Sequence, residues 1–199
     1  MIAPLEAEDP SCLMLDSCEV LNLYATRRFE EIARSIGRPV AVTEYTRARE
    51  ALWVGSGRQS DPRSDHERVD LQPLIERGTL LLTDIVGESE ADLFVELAST
   101  LDDGEAIAGA IAISRSMQLG TDDRRAKSVF AARVPPLVTV TTSELIRTWA
   151  HATGAESSTV AEVLRLIQTR ARFTPGPGDP LADWWKGFAA SEVPEESPR

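Results

Sequence analysis

A chain of 199 residues with 42% hydrophobic and 27% charged residues has the size and apolar content of one globular domain. No stretch approaches the ~18 apolar residues that a membrane span needs, and the acidic segment from Met1 to Pro10 lacks the basic-then-apolar pattern of a secretory signal, so a cytoplasmic protein is expected. Two cysteines, Cys12 and Cys18, are too few for a disulfide framework; two histidines, His66 and His151, stand apart in sequence; and a net charge of −11 argues against a broadly basic nucleic-acid surface.

Ser11 to Leu15 is a short apolar run ending at Asp16 and reads as a buried strand. Val20 to Ile36 carries apolar residues at Val20, Leu23, Tyr24, Ile32 and Ile36, a helical pattern closed by Gly37 and Pro39. Val40 to Val42 predicts a second strand, with Thr43 and Glu44 behind it, and Tyr45 to Val54 reads as helix. Gly55 to Asp65 is a polar loop rich in Gly, Ser, Pro and Arg. A short helix over Leu71 to Ile75 and then Gly78 lead into a third strand, Thr79 to Leu82. Ser89 to Leu97 is helical, as is Glu105 to Met117, which is opened by Asp102-Asp103-Gly104. Leu119-Gly120-Thr121 is a strand interrupted by glycine, and it leads to Asp122 and Asp123.

Arg124 to Ala132 is helical, Pro135-Pro136 breaks the chain, and Leu137 to Val140 is apolar and β-branched. A helix capped by Thr142 or Ser143 runs to His151, and another spans Thr159 to Ala171. A Pro- and Gly-rich stretch follows Thr174, and Trp184, Trp185 and Phe188 precede a polar tail. The expected organisation is a disordered segment over 1–10, one domain over 11–172, and an extension over 173–199, partly disordered.

Strands that alternate with helices predict an α/β fold with a mainly parallel central sheet. In such sheets sites form at the carboxyl ends of the strands. Asp16, Glu44, Asp122 and Asp123 stand at predicted strand ends, and Glu105 begins the helix before the fourth strand. Acids gathered without basic partners repel one another, an arrangement tolerated where divalent cations bind; Mg²⁺ and Mn²⁺ prefer carboxylate oxygen. One or two such ions polarise a phosphodiester without a nucleophilic side chain. Each acid also has a purely structural role open to it: Asp16, Asp122 or Asp123 as a helix cap, Glu44 and Glu105 as complements to a helix dipole. There is no Walker-type loop and no HExxH helix.

Four segments then fall in a familiar order: Leu13-Met14-Leu15-Asp16-Ser17 before a helix with Leu21 and Leu23; Val40-Ala41-Val42-Thr43-Glu44; Gly104-Glu105-Ala106 followed by Ile107, Ala108 and Ala112; and Thr121-Asp122-Asp123-Arg124-Arg125-Ala126. With Pro136 to Val140 and Thr142 behind them, they resemble PIN domains, the metal-dependent nuclease family of VapC-type bacterial toxins, over roughly Ser11 to Arg172. The resemblance implies a three-layer α/β/α fold, a Mg²⁺ or Mn²⁺ centre, and RNA as substrate. Carried over position by position, Asp16, Glu44, Glu105 and either Asp122 or Asp123 are the catalytic acids, with Asp16, Glu105 and Asp123 as metal ligands. Thr121 or Ser17 orients a ligand or a bound water. Arg124 and Arg125, which adjoin the acids, are the foremost candidates for phosphate contacts, ahead of Arg27, Arg28, Arg47, Arg49 and Arg115 and of Arg58, Arg63 and Arg68 in the polar loop and just beyond it.

The implied function is a ribonuclease that serves as the toxin of a toxin–antitoxin pair, a homodimer with a cognate antitoxin as protein partner. The chain departs from compact members by its Gly55 to Arg68 insertion, the region after Thr153 and its acidity. The alternative is a catalytically weak PIN-like module that binds RNA or a protein. A phosphohydrolase wants an Asp-x-Asp after the first strand, where Cys18 stands instead. The aromatic cluster of Trp184, Trp185 and Phe188 either docks the terminal segment on the core or forms part of a partner surface.

Overall fold

The structure, a computed structural model, describes residues 11–56 and 65–189. The expectations for 1–10, for the 57–64 part of the polar loop and for the tail from 190 onward lie outside the described residues. In chain order the elements are β1 (Leu13–Leu15), α1 (Ser17–Ala25), α2 (Phe29–Ser35), β2 (Val40–Thr43), a π-helical turn (Thr46–Glu50), β3 (Trp53–Gly55), β4 (His66–Arg68), α3 (Gln72–Glu76) and β5 (Leu80–Thr83). Then come α4 (Gly87–Ala98), α5 (Asp103–Ser114), β6 (Gln118–Gly120), α6 (Arg124–Ala131), β7 (Thr139–Val140), α7 (Thr142–Thr153), α8 (Ser157–Leu166), a second π-helical turn (Ile167–Ala171) and α9 (Ala182–Ala189).

Five strands form a parallel sheet in the order β5-β2-β1-β6-β7. From β1 the chain runs outward through β2 to β5, then crosses back to β6 and β7 on the other side of β1. That reversal is the kind of switch point at which α/β sheets open a crevice. Successive strand residues point to opposite faces, and the core divides accordingly. Leu13, Leu15, Val40 and Val42 pack with Leu23, Ile32, Ile146, Trp149, Val163 and Leu164 from α1, α2, α7 and α8. Met14, Ala41 and Leu119 pack with Leu97, Ile111 and Phe130 from α4, α5 and α6. The fold is therefore α/β with a parallel sheet between two helical layers, as expected. A sheet covered on both faces explains why its strands read as unbroken apolar runs. Helix α5 is buried on nearly every side, from Ala106 to Ala112. A Cβ at Gly109 would strike the ring of Phe130, so glycine there lets α6 close onto α5.

Two stretches depart from the expected elements. The helix expected over Val20 to Ile36 is two helices, because Arg27 takes a left-handed backbone at φ 61°. Thr26 fixes that corner by donating its hydroxyl to the Leu23 carbonyl (2.5 Å) and accepting the Arg28 N–H (3.0 Å). The helix expected over Tyr45 to Val54 is a single π turn, closed by the Ala51 N–H on the Thr46 carbonyl (2.8 Å), after which the chain extends into β3. β3 pairs antiparallel with β4, Trp53 opposite Arg68. The hairpin is tied to the domain by Arg170, whose wholly buried guanidinium donates to the carbonyls of Gly55 (2.8 Å) and Ala25 (2.5 Å) and pairs with Glu67 (2.6 Å).

At the far end of the chain Trp185 is fully buried, edge-on to Phe173 at 5.7 Å, while Trp184 meets Phe188 at 5.2 Å. This aromatic set docks α9 on the core. Neither cysteine takes part in a disulfide. Among the described residues no helix is long and apolar enough to cross a membrane.

Candidate functional site

Of the helices that begin at or beside the carboxyl edge of the sheet, α1, α5 and α6 are each capped by an aspartate. Asp16 accepts the Ser17 N–H at the start of α1 (2.6 Å), Asp102 accepts the Glu105 N–H at the start of α5 (2.9 Å), and Asp123 accepts the Ala126 N–H at the start of α6 (2.7 Å). A short polar acceptor at the N-cap satisfies an amide that the helix cannot, and the helix dipole favours the negative charge there. Burial raises the carboxyl of Asp16 above its ordinary range, and Asp16 also feels the charge of Asp102, which adds to the effect.

Glu105, in the first turn of α5, is pushed up to about 7 by burial and then by the charges of Asp102, Asp123 and Asp16. Glu50, the last residue of the π turn, is likewise pushed up to about 7 by burial, Asp16 and Asp102, partly offset by hydrogen bonds from Thr46 and Ser17. Glu50 lies directly against α5, since a Cβ at Gly104 would collide with its carboxylate. Asp16, Glu50, Asp102, Glu105 and Asp123 thus share one acidic neighbourhood, within reach of one another's charge, whereas among the described residues ligand atoms within 4.8 Å of one another come from Asp16, Cys18 and Glu19. The five acids come from separate parts of the chain: the end of β1, the π turn, the start of α5 and the segment after β6.

Of the acids expected from sequence, Asp16, Glu105 and Asp123 come together and Glu44 does not. Glu44 is paired with Arg47 three residues on (Nε to Oε2, 2.8 Å), which holds its carboxyl below the ordinary range. Glu50 is the acid of this region that reaches the cluster. Asp122 faces inward and is fully engaged: Oδ1 accepts the Thr142 N–H (3.2 Å) and Oδ2 the Asn22 amide (3.2 Å), while Asn22 also donates to the Thr142 hydroxyl (2.9 Å). It fastens the starts of α6 and α7 to α1 and is not placed with the cluster. Thr121 is buried; its hydroxyl donates to Asp16 (3.3 Å) and accepts the Asp123 N–H (3.2 Å), holding two acids in fixed relation.

Arg124 and Arg125 are exposed on the first turn of α6. Arg28, Arg47 and Arg115 are ion-paired with Glu31, Glu44 and Glu90. Arg58 and Arg63 lie outside the described residues.

Beneath Asp16, Cys18 donates its thiol to Asp16 Oδ2 (3.3 Å) and Glu19 Oε2 (3.0 Å). Glu19 is wholly buried; burial, then the charges of Asp122 and Asp16, push its carboxyl well above the ordinary range. Sequence reasoning missed Glu50, Asp102 and Glu19. Asp102 was the most accessible of the three, as the acid one turn before Glu105 in an Asp-Asp-Gly helix start.

The electrostatics predict a pH dependence. Glu50 and Glu105 hold protons to about 7 in the folded chain against an ordinary value of 4.5. The folded state then binds more protons between those limits, and stability falls as pH rises through them. Without divalent ions, thermal melting is expected to be several degrees higher near pH ~5 than near pH ~8, each carboxyl contributing on the order of 1 kcal/mol after solvent screening. Mg²⁺ added at the higher pH is expected to remove the difference. A melting temperature that rises with pH in chelator would contradict the clustering of these acids.

Comparison of the chain with known protein families, characterised proteins and solved structures finds no match.

Proposed function

We propose that the chain is a metal-dependent endoribonuclease of the PIN type, working in the cytoplasm as the toxin of a toxin–antitoxin pair. The observation that carries this reading is the neighbourhood of five carboxylates, two of them held up to about 7, at the carboxyl edge of a parallel sheet. The donors are all hard oxygens, which suits Mg²⁺ or Mn²⁺, and Asp16, Glu50, Glu105 and Asp123 are the residues that would hold the ion. When bound, such an ion supplies Lewis-acid polarisation of a phosphodiester and a more acidic water.

The remaining work falls to the chain's own groups. Thr121 fixes Asp16 relative to Asp123, and the Thr46 hydroxyl donates to Glu50 and orients it. Of Glu50 and Glu105, the one that the ion leaves free would take the proton from an attacking water. Arg124 and Arg125, next in sequence after Asp123, reach flanking phosphates and position the strand without reading its sequence. The net charge of −11 is compatible with an RNA substrate because a held cation reverses the potential where it matters. A cognate antitoxin and a second copy of the chain are the protein partners of this proposal.

The test compares two glutamates six residues apart. Glu50→Gln is expected to lower cleavage of a mixed RNA pool in Mn²⁺ or Mg²⁺ by about 100-fold or more. Glu44→Gln is expected to leave it within about two-fold, since it loses only a half-exposed ion pair. Equal effects of the two substitutions would break the assignment of Glu50 to the site. Wild-type protein that binds Mn²⁺ but leaves every RNA intact would be a binding module instead.

A further inference from the structure

The first turn of α1 carries a second group of metal-ligating atoms that the acidic cluster does not use. One ligand atom each from Asp16, Cys18 and Glu19 lies within 4.8 Å of the others. The Cys18 thiol sits between the two carboxyls, 3.3 Å from Asp16 Oδ2 and 3.0 Å from Glu19 Oε2. Glu19 is 0% exposed; its Oε1 meets no donor, and the group it lies against is a third carboxylate, that of Asp122. Neighbouring donors are already committed: Asn22 and the Thr142 amide both serve Asp122. Room for the Glu19 side chain comes from Gly120 on β6, where a Cβ would lie 3.2 Å from Glu19 Cγ. Gathering a buried carboxyl with an open oxygen, a thiol and two further carboxyls is costly unless protons or a cation share the space.

We propose that Asp16, Cys18 and Glu19 form a second cation site, one with a sulfur ligand, that takes a thiophilic divalent ion such as Zn²⁺, Fe²⁺ or Co²⁺ in preference to Mg²⁺. Thiolate sulfur selects borderline and soft ions, whereas Mg²⁺ demands oxygen and water. On binding, the Cys18 S–H proton and the proton held by the Glu19 carboxyl leave to solvent, and the thiolate and carboxylate take up the ion. Asp16 belongs to both sites, so the effect of this ion on RNA cleavage rests on the nuclease reading, whereas its binding does not.

Co²⁺ is the probe, added to the full-length protein after chelator treatment. The expected result is a thiolate-to-cobalt charge-transfer absorption in the near ultraviolet that saturates at a single Co²⁺ per chain. The band survives Cys12→Ser and disappears in Cys18→Ser. Glu19→Gln keeps the thiol and weakens Co²⁺ binding by about ten-fold or more; this variant tests the site even if Cys18→Ser fails to fold. Absence of Co²⁺ binding, binding without the thiolate band, or a band that persists in Cys18→Ser would overturn the proposal. Glu105→Gln, outside the triad, separates the two readings. Cleavage lost in that variant, with no band in wild type, leaves the nuclease and removes the sulfur site. A band retained in that variant, with no cleavage by wild type, does the reverse.

Discussion

Asp16→Asn is expected to lower metal-dependent RNA cleavage by at least about 100-fold, because losing a ligand costs no less than losing the groups that orient one. The same substitution is expected to leave the fold intact and to raise, or at least hold, the melting temperature of the metal-free protein. Asparagine keeps an oxygen for the Ser17 N–H, so the cap on α1 survives. It removes one negative charge from a buried position that already bears on Glu50, Glu105 and Glu19. Cleavage and melting measured on identically purified wild-type and variant protein also separate the enzyme from a contaminating ribonuclease. Full cleavage by a folded Asp16→Asn protein would remove Asp16 from the chemistry. Loss of cleavage together with loss of fold would not support a catalytic role.

Arg170→Ala is expected to have the largest effect on stability, about 3–5 kcal/mol, or about 6–20 °C in Tm for a chain of this length. The guanidinium is completely buried and serves three partners at once. Its removal strands two carbonyls, of Ala25 and Gly55, and unpairs Glu67. Glu67 is 42% exposed and regains water, so most of the loss comes from the carbonyls and from packing. Arg170→Lys is expected to recover only part of it, because one ammonium cannot span the three directions of a planar fork. Denaturant unfolding measures both variants. A cost below ~1 kcal/mol for Arg170→Ala would mean that the β3–β4 hairpin is held by something else.

What could be read from sequence follows from where each residue's partners lie. β1, β2 and β5 are legible because a sheet buried on both faces demands apolar residues at successive positions, as in Leu13-Met14-Leu15 and Val40-Ala41-Val42. β4 is His66-Glu67-Arg68, with no apolar face, and is shaped by backbone pairing and by Arg170 from the other end of the chain. No local pattern announces such a strand. The acids divide in the same way. Asp16 and Asp123 follow strands and Glu105 opens a helix, so the rule about carboxyl ends finds them. Glu50 ends a π turn whose extra residue per loop departs from the spacing of an ordinary helix, and its environment is supplied by Asp16, Asp102 and Gly104. Glu44 sits at the expected place after β2, but its nearest cation, Arg47, claims it. Glu19 looks like any acid in a first helical turn until the packing of β6 over it is known.

The contact between Glu50 and the backbone of Gly104 ties two distant positions into a single inherited unit. Any side chain at 104, even a methyl, would occupy the space of the carboxylate. Divergence at either position is therefore constrained by the other. A descendant of this chain that acquired alanine or serine at 104 would keep the α5 helix and gain helix propensity, but the Glu50 carboxylate would have to swing away from its present place. Homologous sequences are expected to favour glycine at 104 where glutamate stands at 50, and to be freer at 104 where it does not.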